Sequence, residues 1–189
     1  MDVRFKYNEP SEAEKIYFEQ IFAEKPGGGI IKFAMDLIAD VPPTTPVYET
    51  RPGFYELGPQ FIVLEDVEVG STTINIEAPF YNIQLEIYSV VSIGYKGEVV
   101  KIASAIKTEH GVQLTVEKPF TNKITKGTVL WASVGGNEPS PNVKYVTGDW
   151  IYANEGDQAV RLINGANLRK ETANIASEVA ALLPGINLV

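Results

Sequence analysis

The sequence predicts a mainly β protein: a sandwich- or barrel-like β domain, preceded by an extended N-terminal arm containing a helix and closed by a short C-terminal helix. Three observations carry this. From Phe61 onward, short apolar or alternating runs recur between Gly, Pro and Asn turns. Upstream, one stretch at helical spacing is followed by a proline-rich stretch. Near the end, Ala173, Ala176, Val179, Ala180 and Leu183 form a small-residue face at helical spacing, stopped by Pro184-Gly185.

Taking the chain in order, Ser11 and Glu14 have the spacing of a capping box before Glu12–Lys25. Ala13, Ile16, Tyr17, Ile21 and Phe22 make an apolar stripe at helical spacing, and Pro26-Gly27-Gly28-Gly29 stops it. The glycines lack the Gly-Lys-Ser/Thr ending of a phosphate loop and read as a turn or hinge. A helix this short needs a docking surface, either its own core or a neighbouring subunit. Ile30–Ala39 alternates as a strand would, while its Ala, Met and Leu content would also permit a helix. Val41-Pro-Pro-Thr-Thr-Pro-Val47 loses too many backbone donors for either element and reads as an extended connector. The expected organisation is residues 1–60 as arm and connector and 61–189 as the β-rich domain.

Within that domain, strands are expected at Phe61–Leu64, Ser71–Glu77, Ile83–Ile93, Glu98–Ile106, Val112–Val116 and Gly127–Ser133. A turn at Glu109-His-Gly111 separates two of them. Asn154–Asp157 reads as a hairpin turn between Asp149–Ala153 and Gln158–Ile163. Asn164-Gly165 reads as a turn, and Ile186–Val189 as a terminal strand.

Composition limits the chemistry. Of 189 residues, 44% are hydrophobic, enough for a packed core. The formal charge of −8 argues against general binding to a phosphate backbone, so no nucleic-acid partner is expected; docking on a basic surface is compatible with it. No cysteine is present, which removes disulfides, thiolate nucleophiles and sulfur-rich zinc sites. No window approaches roughly 18 uninterrupted apolar residues, and no secretory h-region stands at the N-terminus, so synthesis in the cytoplasm and no membrane partner are expected.

The search for a catalytic constellation finds none. His110, the single histidine, sits in a turn with no Gly-x-Ser-x-Gly elbow to serve, and reads as a solvated turn residue. Glu65, Asp66 and Glu68 cluster near a strand end; acid–base hydrolysis by such a group is the weakest reading. Asn154, Glu155 and Asp157 lack the ligand spacing of a calcium loop. The expectation is therefore no enzyme activity, no cofactor and no metal. The 9 Tyr, 8 Phe and 2 Trp are more telling. Trp131 reads as core, while Trp150 and Tyr152, two apart, share a strand face that suits either core or a sugar or protein ligand. The candidate partner contacts are Tyr17, Ile21, Phe22, Tyr48, Phe54, Tyr55, Trp150 and Tyr152.

The Gly127-Thr-Val-Leu130 strand, the Gln158-Ala-Val-Arg-Leu-Ile-Asn-Gly165 strand and turn, the small-residue helix and the ending Ala181-Leu-Leu-Pro-Gly-Ile-Asn-Leu-Val189 resemble the ends of tailed-phage head decoration and related capsid-associated, head-fibre-like proteins. The resemblance covers about a third of the chain, and the arm of residues 1–60 departs from the smallest decoration proteins. It implies a non-enzymatic structural protein of the virion. Such a protein binds the major capsid protein on the outer capsid surface of a bacteriophage, often as a homo-trimer. The alternative is a carbohydrate-binding or adhesin-type β module.

Overall fold

The computed structural model describes residues 14–32, 37–58, 60–78, 80, 90–132, 143–153 and 155–189. The chain is mainly β and divides into two units. One comprises Met35–Ala39 and Gly58–Pro141; the other comprises Met1–Ala34, Asp40–Leu57 and Asn142–Val189. This division differs from the expected boundary at residue 60: the chain starts in the second unit, leaves it twice and returns twice.

In the mixed-sheet unit the strands are β1 (Phe18–Glu24), β2 (Gly29–Ile31), β3 (Pro46–Arg51) and β4 (Phe54–Leu57). The barrel unit follows with β5 (Gln60–Val63), β6 (Thr73–Glu77), β7 (Val90–Ile93), β8 (Glu98–Thr108), β9 (Gly111–Val116) and β10 (Val129–Ala132). The mixed-sheet unit resumes with β11 (Val143–Thr147), β12 (Gln158–Val160), β13 (Leu162–Leu168), the single helical turn α1 (Ser177–Ala180) and β14 (Ile186–Leu188).

The barrel unit closes in the order β10-β5-β6-β9-β8-β7, with every pair antiparallel. β7, β8 and β9 follow one another by hairpins and β10 returns beside β7, a Greek key. The expected alternation places Ile74 and Ile76 inward, with Phe61, Val63, Ile102, Leu114, Val116 and Leu130. Full burial of each such side chain contributes roughly 1.5–3 kcal/mol. Trp131 is fully buried, with its ring edge-on to Tyr95 at 5.5 Å, as the core reading expected. Most of the expected strand Ile83–Ile93 lies outside the described residues; its end forms β7.

The mixed-sheet unit is an eight-stranded sheet in the order β1-β13-β11-β3-β4-β2-β12, with β14 added parallel to β13. Here the sequence reading needs several corrections. Among the described residues the N-terminal helix does not appear: apart from a 3-10 turn at Glu14–Ile16, the described part of that stretch is β1, paired antiparallel to β13. Phe18 and Ile21 are both buried although three residues apart. Register shifts between Phe18 and Gln20 and between Ile21 and Ala23 mark bulges. Each inserts a residue and restores the inward face, so bulged β spacing mimics a helical stripe. The capping residue Ser11 lies outside the described residues.

The expected extended connector instead contributes strands β3 and β4 to the sheet. Every residue from Val41 to Val47 is buried. Val41 exchanges backbone hydrogen bonds with Ile151 at 2.8 and 2.9 Å, and Pro46 opens β3 against β11. Asn164-Gly165 is no turn but the middle of β13. A Cβ on Gly165 would lie 2.7 Å from Ala23 Cβ and 2.9 Å from the Phe22 ring, so glycine serves the close approach of β1. The small-residue helix is reduced to α1, and the terminal strand forms as β14. The block from Gly127 is itself divided, β10 in the barrel and β11 onward in the mixed sheet.

Candidate functional site

All eight contact candidates fall in the mixed-sheet unit, and their exposure separates them. Ile21 and Tyr55 are buried, at 3% and 0%. Tyr17, Phe22, Tyr48 and Phe54 are half-buried. The Tyr48 hydroxyl donates to Glu56 Oε2 at 2.7 Å. Phe54 lies beneath the Arg51 guanidinium at 3.9 Å. The Tyr55 hydroxyl donates to Glu49 Oε1 at 3.2 Å, and its ring is edge-on to Tyr145 at 5.9 Å. Burial, then the Glu49 hydrogen bond and charge, raise its pKa to about 12. Tyr55 and Ile21 are therefore sheet-packing residues in this unit.

Trp150 and Tyr152 remain accessible, at 41% and 47%. The cause is local. Ile151 faces inward, 1% exposed, through its backbone pair with Val41, and period-two alternation turns its neighbours outward. Trp150 meets Tyr17 edge-on, with ring centroids 6.0 Å apart and planes at 82°. The structure thus joins two candidates that are far apart in sequence.

Trp150 and Tyr152 line a cleft of about 660 Å³ together with Asp149, Glu155, Asp157 and Arg161, and with Pro43 and Gln158. Asp149 Oδ2 accepts the Arg161 backbone N–H at 2.7 Å, and Oδ1 accepts Arg161 Nε at 3.1 Å. Arg161 Nη2 also donates to the Gly148 carbonyl at 2.9 Å, and Nη1 lies 3.5 Å from Glu24 Oε1. Asp157 pairs with Lys32 at 2.7 Å. Among the described residues the Glu155 carboxylate holds no hydrogen bond or ion pair.

The expected hairpin around Asn154–Asp157 does not form, because β12 pairs with β2. The Gln158 side chain replaces it: its Oε1 accepts the Tyr152 N–H and its Nε2 donates to the Tyr152 carbonyl, both at 2.9 Å. Asp40 Oδ1 accepts the Ala153 N–H at 3.0 Å. Sequence reading missed Asp40, Asp149, Gln158 and Arg161. The Trp-Ile-Tyr alternation and the nearby Glu155 and Asp157 signalled the site; apart from Pro43 its lining comes from Gly148–Arg161, with Asp40 and Tyr17 reaching the rim from separated segments.

The other candidates are dispersed. His110 is exposed in the two-residue Glu109-His110 turn joining β8 to β9. Near the barrel strand ends, Glu65 accepts from Asn75 Nδ2, Asp66 Oδ1 accepts the Lys126 N–H at 2.9 Å, and Glu68 pairs with Lys123 at 2.8 Å. Each carboxylate thus makes a tie within the barrel unit, and Asp66 and Glu68 share Lys123. Among the described residues no group of three His, Asp or Glu side chains is arranged to hold a metal ion.

No family model matches the chain, and comparison with curated proteins and with solved structures gives no match.

Proposed function

We propose that the chain is a structural protein of a phage virion, without catalytic activity, that decorates or reinforces the outer capsid surface. It binds the major capsid protein and assembles as a homo-oligomer, a trimer by its resemblance to head decoration proteins.

The observation that best supports docking is the outer edge of β1. This strand ends the mixed sheet and, among the described residues, pairs only with β13. An edge strand presents backbone N–H and C=O groups that a partner strand can complete. Glu19 and Gln20 are exposed along it and Phe22 is half-buried, so side-chain contact accompanies main-chain pairing. The bulges shorten the flat template, so an added strand engages only part of β1. The charge of −8 suits a basic docking surface.

The test is quantitative mass spectrometry of purified phage particles, with the mass of the free protein measured in parallel. A fixed stoichiometry on particles and an oligomer in solution are expected. Gln20→Lys, which adds an edge-blunting charge, should lower particle occupancy without lowering the melting temperature. Absence from particles together with a monomeric mass removes the reading. The rival reading, a carbohydrate-binding or adhesin-type module, draws on the cleft beside Trp150.

A further inference from the structure

The rim of the Trp150 cleft is held by four separate contacts. Ile151 is paired to Val41 through the backbone, and Gln158 clasps both backbone polar groups of Tyr152. Asp40 receives the Ala153 N–H, and Tyr17 abuts Trp150. Two large rings thus face solvent on a backbone already fixed in place. A ligand there need not bear the cost of ordering that segment.

We propose that this cleft binds a neutral saccharide, with the apolar face of a pyranose on the Trp150 or Tyr152 ring and its hydroxyls directed to Glu155, Asp149 and Arg161. A pyranose offers an apolar C–H face and a rim of hydroxyls. The ring–ring contact removes apolar surface from water on both sides. The hydroxyls both donate and accept, so they match carboxylates and a guanidinium in one cleft.

Charge selects among ligand classes. Asp149, Glu155 and Asp157 repel an anionic sugar. A cationic ligand must compete with Arg161 for Asp149 and with Lys32 for Asp157, which leaves it only the Glu155 carboxylate among the described residues of the cleft. A neutral hydroxyl need not displace the Asp149–Arg161 pair, because a carboxylate has about four acceptor positions. Glu155 supplies a further acceptor with no competing partner among the described residues. The volume of about 660 Å³ lies within the range of ligand clefts, about 300–1,000 Å³.

The proposal is independent of the capsid reading, and its assay uses the full free chain. Neutral malto-, chito- and galacto-oligosaccharides are titrated by calorimetry and Trp fluorescence after a neutral-glycan array. Sialylated glycans and an oligolysine peptide are the comparison arms. At least one neutral glycan should bind at millimolar concentration or better and perturb Trp fluorescence. Trp150→Ala should weaken it about tenfold or more, equivalent to about 1.4 kcal/mol. Glu155→Gln, which breaks no hydrogen bond or ion pair among the described residues, should weaken it less while leaving melting unchanged. Silence across the neutral array overturns the proposal. So does preference for sialylated glycans or oligolysine, or unchanged affinity in both Trp150→Ala and Glu155→Gln.

Discussion

Asn174 donates its backbone N–H to Thr44 Oγ1 at 2.7 Å, joining residues 130 positions apart. Its side-chain Nδ2 donates to Thr45 Oγ1, also at 2.7 Å. Both threonines are buried, at 0% and 1%. Each hydroxyl also donates to a proline carbonyl, Thr44 to Pro43 and Thr45 to Pro42. Thr147 completes the network through its backbone and Oγ1. Thr44 adopts φ 69°, rare for a β-branched residue, and these bonds offset that strain.

Thr44→Val keeps the shape and the strain but leaves the Asn174 N–H without its acceptor. It should cost about 1–3 kcal/mol, the penalty for an unsatisfied buried group. Asn174→Ala keeps its backbone bond and loses only the one to Thr45, so about 0.5–1.5 kcal/mol is expected. Urea denaturation of the two variants checks the order; a larger loss in Asn174→Ala contradicts it.

Gly111 follows the β8–β9 turn with φ 152°, and a Cβ there would lie 2.2 Å from the Ile76 carbonyl oxygen. Gly127 also has positive φ, 84°, but nothing lies within 4 Å of its Cβ position. Gly127→Ala should therefore cost only conformational strain, about 1–2 kcal/mol. Gly111→Ala must also force β6 and β9 apart and should cost more, about 2–4 kcal/mol. Thermal denaturation of both proteins distinguishes the two.

Tyr55 has a pKa of about 12 in the folded protein against an ordinary value of 10.0. The folded chain holds that proton more tightly than the unfolded chain. Its contribution to stability is complete below the ordinary value and is lost as pH rises through the folded one. Tyr55→Phe should flatten this alkaline step. Denaturant titrations across the alkaline range test it, with tyrosinate absorbance reporting the late ionisation.

Asp66 behaves in the opposite direction. The Lys126 backbone N–H, and then the Lys123 ammonium, hold its pKa below the usual 3.8. Its contribution is present above the ordinary carboxylate range and is lost as pH falls through the lowered value. Asp66→Asn should reduce the acid-side loss of stability, while added salt should weaken the Lys123 part more than the backbone hydrogen bond. Stability measured from neutral pH down through the ordinary value of 3.8 and below it, with and without salt, provides the check.

The barrel strands were largely legible because their evidence is local. Ile74 and Ile76 alternate with polar residues, and Gly111 closes a two-residue hairpin with its neighbour strand. In the mixed sheet the partners are remote. β1 pairs with β13 and β3 with β11, across more than half the chain. Such pairing rewrites local propensity: bulges give β1 the stripe of a helix, and the prolines of Val41–Val47 become buried lining.

The same contrast runs through the candidate site. Sequence alone determined that the chain is mainly β, acidic and free of cysteine, and that Trp150 and Tyr152 share a face. Only tertiary structure decided that Tyr55 is buried while those two rings reach solvent. It also brought Asp149, Gln158, Arg161, Asp40 and Tyr17 around them. Side-chain alternation is written into a few neighbouring residues. Burial and charge pairing depend on which distant strand arrives alongside, and no short window of sequence contains that information.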